Sequence, residues 1–179
     1  MAFAAYLTVK NQGNNITAGA SGPNSIGQAA PTVSPMPKTQ GGVELTDTAT
    51  VLKFLSDLQI PTLAGAGVIS SGRIYQPVVI TKHIDSMSPQ FWQALAVNTV
   101  FDSFTLDIFR DSPTSANAKS FYTIEWDTVT IVEAKQYSPL VLDPSLIWMP
   151  YLEDISFTFK KVTWNQIPAS TSGGDTYSN

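Results

Sequence analysis

The chain contains no cysteine in its 179 residues. Disulfides and thiolate metal sites are therefore excluded, and the fold has to hold without covalent cross-links, as suits a reducing compartment. There is one histidine, His83, and any catalytic dyad or triad built on imidazole would have to use it. It lies beside Lys82 and Asp85 on an expected strand, where a surface or subunit contact is its ordinary role. No G-x-S-x-G, no phosphate-loop glycine pattern and no paired-histidine metal spacing is present. The glycine-rich stretch Gly65 to Gly72 also lacks the lysine and the strand-to-helix setting of a phosphate cradle. Positive charge is scarce: Lys and Arg total 10 against 14 for Asp and Glu, a net charge of -4. Phosphate binding needs concentrated positive charge, so no nucleic acid is expected as a partner. No apolar run approaches the ~18 residues of a membrane-spanning helix, so no membrane insertion is expected. The opening MAFAAYLTVK has no positive residue ahead of a short apolar part and no cleavage-like site, so a signal peptide is not expected either.

What the chain does have is a 43% hydrophobic content, enough for one domain with a true core. The stretch from Arg73 to Asn98 holds a strand, a turn and a helix. Ile74, Val78, Ile80 and Ile84 share one side of an extended segment. Asp85 to Ser88 then break the pattern, with Ser88 expected as N-cap and Pro89 at the first helical position. In the helix Phe91, Ala94, Leu95 and Asn98 share a face and Trp92 and Ala96 the next, a wide apolar stripe that needs a partner.

Elsewhere the patterns are strand and loop. Phe3 to Lys10 reads as a first strand, followed by a long low-complexity loop over about 11–48 in which only Ile16, Ile26, Val33 and Met36 offer apolar anchors. Thr50 to Ile60 fits a strand with Leu52, Phe54, Leu58 and Ile60 on one side. A helix placing Val51, Phe54, Leu55 and Leu58 together competes, and Pro61 and the Thr48, Thr50 and Val51 entry favour the strand. Phe101 to Arg110 has Phe104, Leu106 and Ile108 on one face, with Phe109 on the polar side. Ser120 to Tyr137 has Tyr122, Ile124 and Trp126 in one phase and Val129 and Ile131 in the other, which requires a bulge, bend or turn near Asp127-Thr128. The same shift recurs across Lys160-Lys161, between Ile155, Phe157 and Phe159 and Val162 and Trp164. Strongly bent antiparallel strands with a single helix point to a closed or nearly closed β-barrel. The domain spans 1–164, and the small polar tail 165–179 is expected to be disordered.

Glu125, Asp127 and Glu133 lie along one strand region and contain the two acids glycoside chemistry needs, but a solvated strand face is the ordinary reading. Trp92, Trp126, Trp148 and Trp164 invite a ring-stacking platform, yet at least two of them fall on apolar faces and read as core. No enzyme activity and no cofactor is expected.

The order of parts is specific even though no single piece is. A strand G-R-I-Y-Q-P-V-V-I-T-K-H-I-D precedes a helix S-M-S-P-Q-F-W-Q-A-L, then F-T-L-D-I-F-R, F-Y-T-I and L-D-P, and finally L-E-D-I-S-F-T-F-K-K-V-T-W. This closely resembles the Hcp family, the haemolysin-coregulated proteins of the type VI secretion inner tube, over most of Thr50 to Trp164. The resemblance implies a mainly β fold, an antiparallel barrel with one flanking helix. It further implies a homo-hexameric ring that stacks into a tube, is driven by a sheath, is tipped by a spike and carries effector proteins. Such a subunit is assembled in the bacterial cytoplasm and then exported. By the same analogy Pro61 to Gly72 is an extended loop reaching a neighbouring subunit or ring, so that Pro61, Leu63, Val68, Ile69 and Arg73 are the candidate contacts. The long segment 16–48 exceeds the family pattern. Two other readings stay open at this point: the tube of a phage tail or extracellular contractile injection particle, and a monomeric barrel binding a small ligand.

Overall fold

The computed structural model describes residues 4–17, 39–40, 43–44, 48–61, 72–109, 120–138 and 151–177. In chain order its elements are β1 (Ala4–Asn11), β2 (Asn14–Asn15), β3 (Thr39–Gln40), β4 (Val43–Glu44), β5 (Ala49–Leu55), β6 (Leu58–Gln59), β7 (Ile74–Tyr75), β8 (Val78–His83), α1 (Ser88–Val97), β9 (Val100–Phe109), β10 (Ser120–Tyr137), β11 (Leu152–Thr158), β12 (Lys161–Gln166) and β13 (Thr171–Thr176). The Thr50 to Ile60 stretch is extended and not helical, as its β-branched entry and closing proline favour, but it is two strands, β5 and β6, broken at Ser56 and Asp57.

Every pairing in the main sheet is antiparallel, in the order β11-β8-β5-β1-β9-β10, and a further pairing of β10 with β11 closes the ring. The described residues therefore form the expected closed antiparallel barrel with one helix. Closure needs strong curvature, and it is concentrated where the hydrophobic phase of β10 changes. Trp126 and Val129 are both buried although three residues apart, because Thr128 adopts a left-handed backbone with φ 55°. Before this corner β10 pairs with β12 (Trp126 opposite Val162), and after it with β11 (Ile131 opposite Phe157). Phe159 and Lys160 form the matching break between β11 and β12, tied across by the Lys160 amide donating to the Asp127 carbonyl at 3.1 Å. Both phase shifts in the sequence are thus one corner of the barrel.

The interior is filled by rings. Phe91 of α1 stacks on Phe104 at 5.8 Å, Phe104 meets Phe157 edge-on at 4.8 Å, and Phe157 meets Trp126 at 5.2 Å. Each fully buried aromatic contributes about 1.5–3 kcal/mol through lost apolar surface. Phe109 lies on the face of β9 that the alternation marks as polar, yet it is buried edge-on against Tyr6 at 5.6 Å.

Two expectations are corrected. Ser88 is not the N-cap: Met87 holds that position without a side-chain cap, Pro89 follows in the first turn, and the Ser88 hydroxyl is used elsewhere. The helix instead ends on a left-handed Asn98 whose amide, with that of Thr99, donates back to Leu95 and Ala94. The tail is not uniformly disordered. Thr171–Thr176 pairs along β12 from Gln166 opposite Thr171 to Lys161 opposite Thr176. Composition alone missed this because the residues that hold the strand lie 100 positions earlier in the sequence.

Candidate assembly surface and its anchors

The face of the Thr50 to Ile60 segment that the alternation marks as apolar lies outside the core. Only Ala49 and Val51 of β5 are buried; Leu52, Phe54, Leu55, Leu58 and Ile60 are exposed, Leu55 at 54% and Ile60 at 52%. The cause is a register shift between Val51 and Lys53, after which β5 keeps β8 as its partner while its pairing with β1 has ended at Val51. The chain continues into β6, which pairs with β7 through Leu58 opposite Tyr75 and Gln59 opposite Ile74, a small ladder separate from the barrel. The Gln76 amide closes its base on the Asp57 carbonyl at 3.1 Å. This arm carries large apolar side chains with nothing on the described residues covering them, as a surface does when its partner is another molecule. A second exposed apolar group, Trp92, Val97, Val100 and Val132, lies on α1, β9 and β10.

Of the five candidate contacts, Pro61 sits half-buried two residues beyond β6. Arg73 stands at the start of β7 but points its guanidinium within the chain, forming an ion pair with Asp175 and donating to the Thr176 carbonyl at 2.8 Å. Leu63, Val68 and Ile69 lie outside the described residues. Tyr75 donates to Asp175 Oδ2, which Arg73 Nε also engages, at 2.7 Å and packs edge-on against Phe159 and Tyr177. Burial, then the hydrogen bond to Asp175, push the Tyr75 hydroxyl up to about 12. The Tyr75 hydrogen bond, with Arg73 adding to it, holds the Asp175 carboxyl below the usual carboxylate range. An open cleft of about 780 Å³ is bounded by Tyr75, Gln76, Phe159, Lys160 and Tyr177, where arm root, barrel corner and C-terminal strand meet.

At the other end of β8 the sequence reading missed a buried ionic cluster. Lys82 is on the same side as Val78 and Ile80 and is 0% exposed. Its ammonium bonds Asp85 and Glu153 at 2.8 Å each, donates to the His83 carbonyl at 3.0 Å and the Ser88 hydroxyl at 3.3 Å, and lies 5.6 Å over the Phe91 ring. Glu153 is directly opposite Lys82 in the β8–β11 ladder. Ser88 donates to Glu153 at 2.7 Å and accepts the Asp85 amide at 2.9 Å, while Asp85 accepts the Met87 amide at 2.9 Å. Gln136 satisfies the second Glu153 oxygen at 3.1 Å. Buried charges persist only with such saturation, and here it ties the turn before α1 to two barrel strands. The available signal was the alternation itself, which puts Lys82 in phase with the apolar residues.

His83 is half-buried, and burial first and Lys82 second lower its pKa from 6.5; its Nδ1 has no hydrogen-bond partner among the described residues. Asp127 pairs with Lys161 at 2.8 Å, Glu125 and Glu133 are exposed, and Trp126 is packed in the core and so is no stacking platform. Among the described residues no cluster of His, Asp and Glu is arranged to hold a metal.

Comparison with known proteins agrees with this geometry. A family profile described as "Type VI secretion system effector, Hcp" matches residues 41–166. The "Major exported protein" of Pseudomonas aeruginosa strain PAO1 is 31% identical over 176 residues, covering 98% of this chain and 95% of that protein. Among solved structures, a crystal structure of an Hcp protein superposes with a TM-score of 0.83 at 21% identity over 99% of both chains. The secreted protein Hcp3 from Pseudomonas aeruginosa superposes at 0.73 with 27% identity, over 99% of this chain and 100% of that one.

Proposed function

The chain belongs to the Hcp family of type VI secretion system proteins, and from that premise we propose that it is a subunit of the secretion tube, forming hexameric rings that stack and carry effectors. The role is mechanical and not catalytic. Sheath, spike and effector proteins are its partners, and it is assembled in the cytoplasm before export.

The observation that carries this reading is the apolar arm. A cyclic ring needs two different, complementary surfaces on each subunit, because the contact is head-to-tail. The arm residues Leu52, Leu55, Leu58 and Ile60 are one such surface, and the group around Val97, Val100 and Val132 on other elements is a candidate for the second. Covering one exposed leucine is worth on the order of 1.5–3 kcal/mol before association costs, so a few per subunit matter. The ring-packed interior counts against the small-ligand barrel, since Phe91, Phe104, Phe157 and Trp126 occupy the space a ligand would need.

Negative-stain imaging with sedimentation of purified protein tests the proposal. Six-lobed rings are expected, and Leu58→Asp is expected to give dispersed subunits with an intact fold by circular dichroism. A wild-type protein that stays monomeric at high concentration would sink it.

A further inference from the structure

The outermost strand β13 is held in an unusual way. Its residues Thr171 to Gly174 are exposed, Gly173 and Gly174 supply no side chain, and it pairs with β12 alone among the described residues. What fastens it beyond that ladder is concentrated at its end. Asp175 accepts from Arg73 and Tyr75, the Thr176 carbonyl accepts from Arg73, and Tyr177 packs on Tyr75 while its amide donates to the Lys160 carbonyl at 2.6 Å. Arg73 immediately precedes β7 and Tyr75 is the β7 residue opposite Leu58, so the two residues that hold Asp175 sit on or beside the strand that pairs with the arm's β6. Anchors of the C-terminal strand are thus anchors of the arm.

We propose that β13 is a clasp whose docking orients the arm for contact with a neighbouring copy, and that assembly in turn locks β13. The inference rests on the reading of the arm as a subunit contact. Its logic is linkage: if the docked strand favours the arm geometry a neighbour binds, a bound neighbour must favour the docked strand by the same free energy. The short ladder and glycine-rich composition make β13 a low-cost element to undock, as coupled elements have to be. Asp175 is the residue whose loss undoes the clasp while leaving the barrel interior untouched.

The test uses the full chain, with Asp175→Ala, with Asp175→Asn to keep one acceptor oxygen, and with Leu58→Asp as the arm control. Hydrogen exchange is followed at Gln76 and along β13, and assembly is followed by sedimentation. In Asp175→Ala the Gln76 amide is expected to exchange about tenfold faster, as an arm opening made ~1.4 kcal/mol easier allows. Assembly then shifts to higher concentration, with Asp175→Asn between the two and the melting temperature of the barrel little changed. In wild type, β13 amides are expected to slow on ring formation. Unchanged Gln76 exchange in Asp175→Ala overturns the clasp even where Leu58→Asp blocks assembly. Equal β13 exchange in assembled and dispersed wild type overturns the coupling. If Leu58→Asp forms normal rings, the arm reading fails and the assembly role of the clasp fails with it, whatever happens at Gln76.

Discussion

Lys82 is the residue on which the helix end of the barrel depends. Removing one partner of a saturated buried cluster leaves the others charged and without compensation, at a cost of roughly 3–5 kcal/mol. Lys82→Ala is therefore expected to lower the denaturation midpoint severely, with two carboxylates, Asp85 and Glu153, left behind. A combined Lys82→Met, Glu153→Leu and Asp85→Asn variant should recover much of that loss, and equilibrium urea unfolding of the two proteins checks both. Asp107 behaves oppositely. Burial raises its carboxyl pKa, with the Thr123 hydrogen bond only partly opposing, so the folded state binds the proton more tightly than the unfolded chain and stability falls as pH rises through the raised value. Asp107→Asn keeps the acceptor for Thr123 and is expected to raise the melting temperature at pH 7, with little effect near pH 3. His83 has a lowered pKa, so the unfolded chain takes up its proton first and stability is lost as pH falls below about 6.5. In His83→Gln that part of the pH dependence of the melting temperature should disappear.

At the scale of elements, the corner in β10 decides the shape. Thr128 is β-branched and left-handed at φ 55°, a conformation costing an ordinary residue roughly 1–2 kcal/mol that glycine does not incur. Thr128→Gly is expected to be neutral or stabilising by up to about 1 kcal/mol once its greater unfolded entropy is subtracted. Thr128→Pro cannot reach a positive φ and should prevent closure of β10 on β11; thermal denaturation of both variants distinguishes them. That corner was legible in the sequence, because a phase change between Trp126 and Val129 admits no flat strand. The buried cluster was half legible, since Lys82 stands in the apolar phase. The cap on α1 was not: Ser88 has the right residue type, but Glu153, 65 positions away, claims its hydroxyl.

On the scale of the whole molecule, a closed barrel has few edges left for pairing, so contacts between copies fall to what projects from it. The arm is such a projection and its exposed side chains are apolar. Assembly through it should be insensitive to screening, and ring yield is expected to hold between about 0.1 M and about 1 M salt, over which the Debye length falls from ~10 Å to ~3 Å. Sedimentation across that range checks the expectation, and dissociation at high salt would assign the contact to ion pairs instead.

Period-two alternation, one amphipathic helix pattern and two phase shifts were sufficient to specify a mainly β chain bent into a barrel, because side-chain direction along a strand is a local property of the backbone. Local pattern also identified Leu52, Phe54, Leu58 and Ile60 as a coherent apolar face. It could not say that this face lies outside the single chain, for burial depends on which strands stop short, and β1 leaves β5 at Val51. The partnership of Arg73 and Tyr75 with Asp175, and of Lys82 with Glu153, belongs to the tertiary structure alone. Those contacts join residues far apart in sequence, and no short-range rule relates a charge to a partner that only chain closure brings within bonding distance.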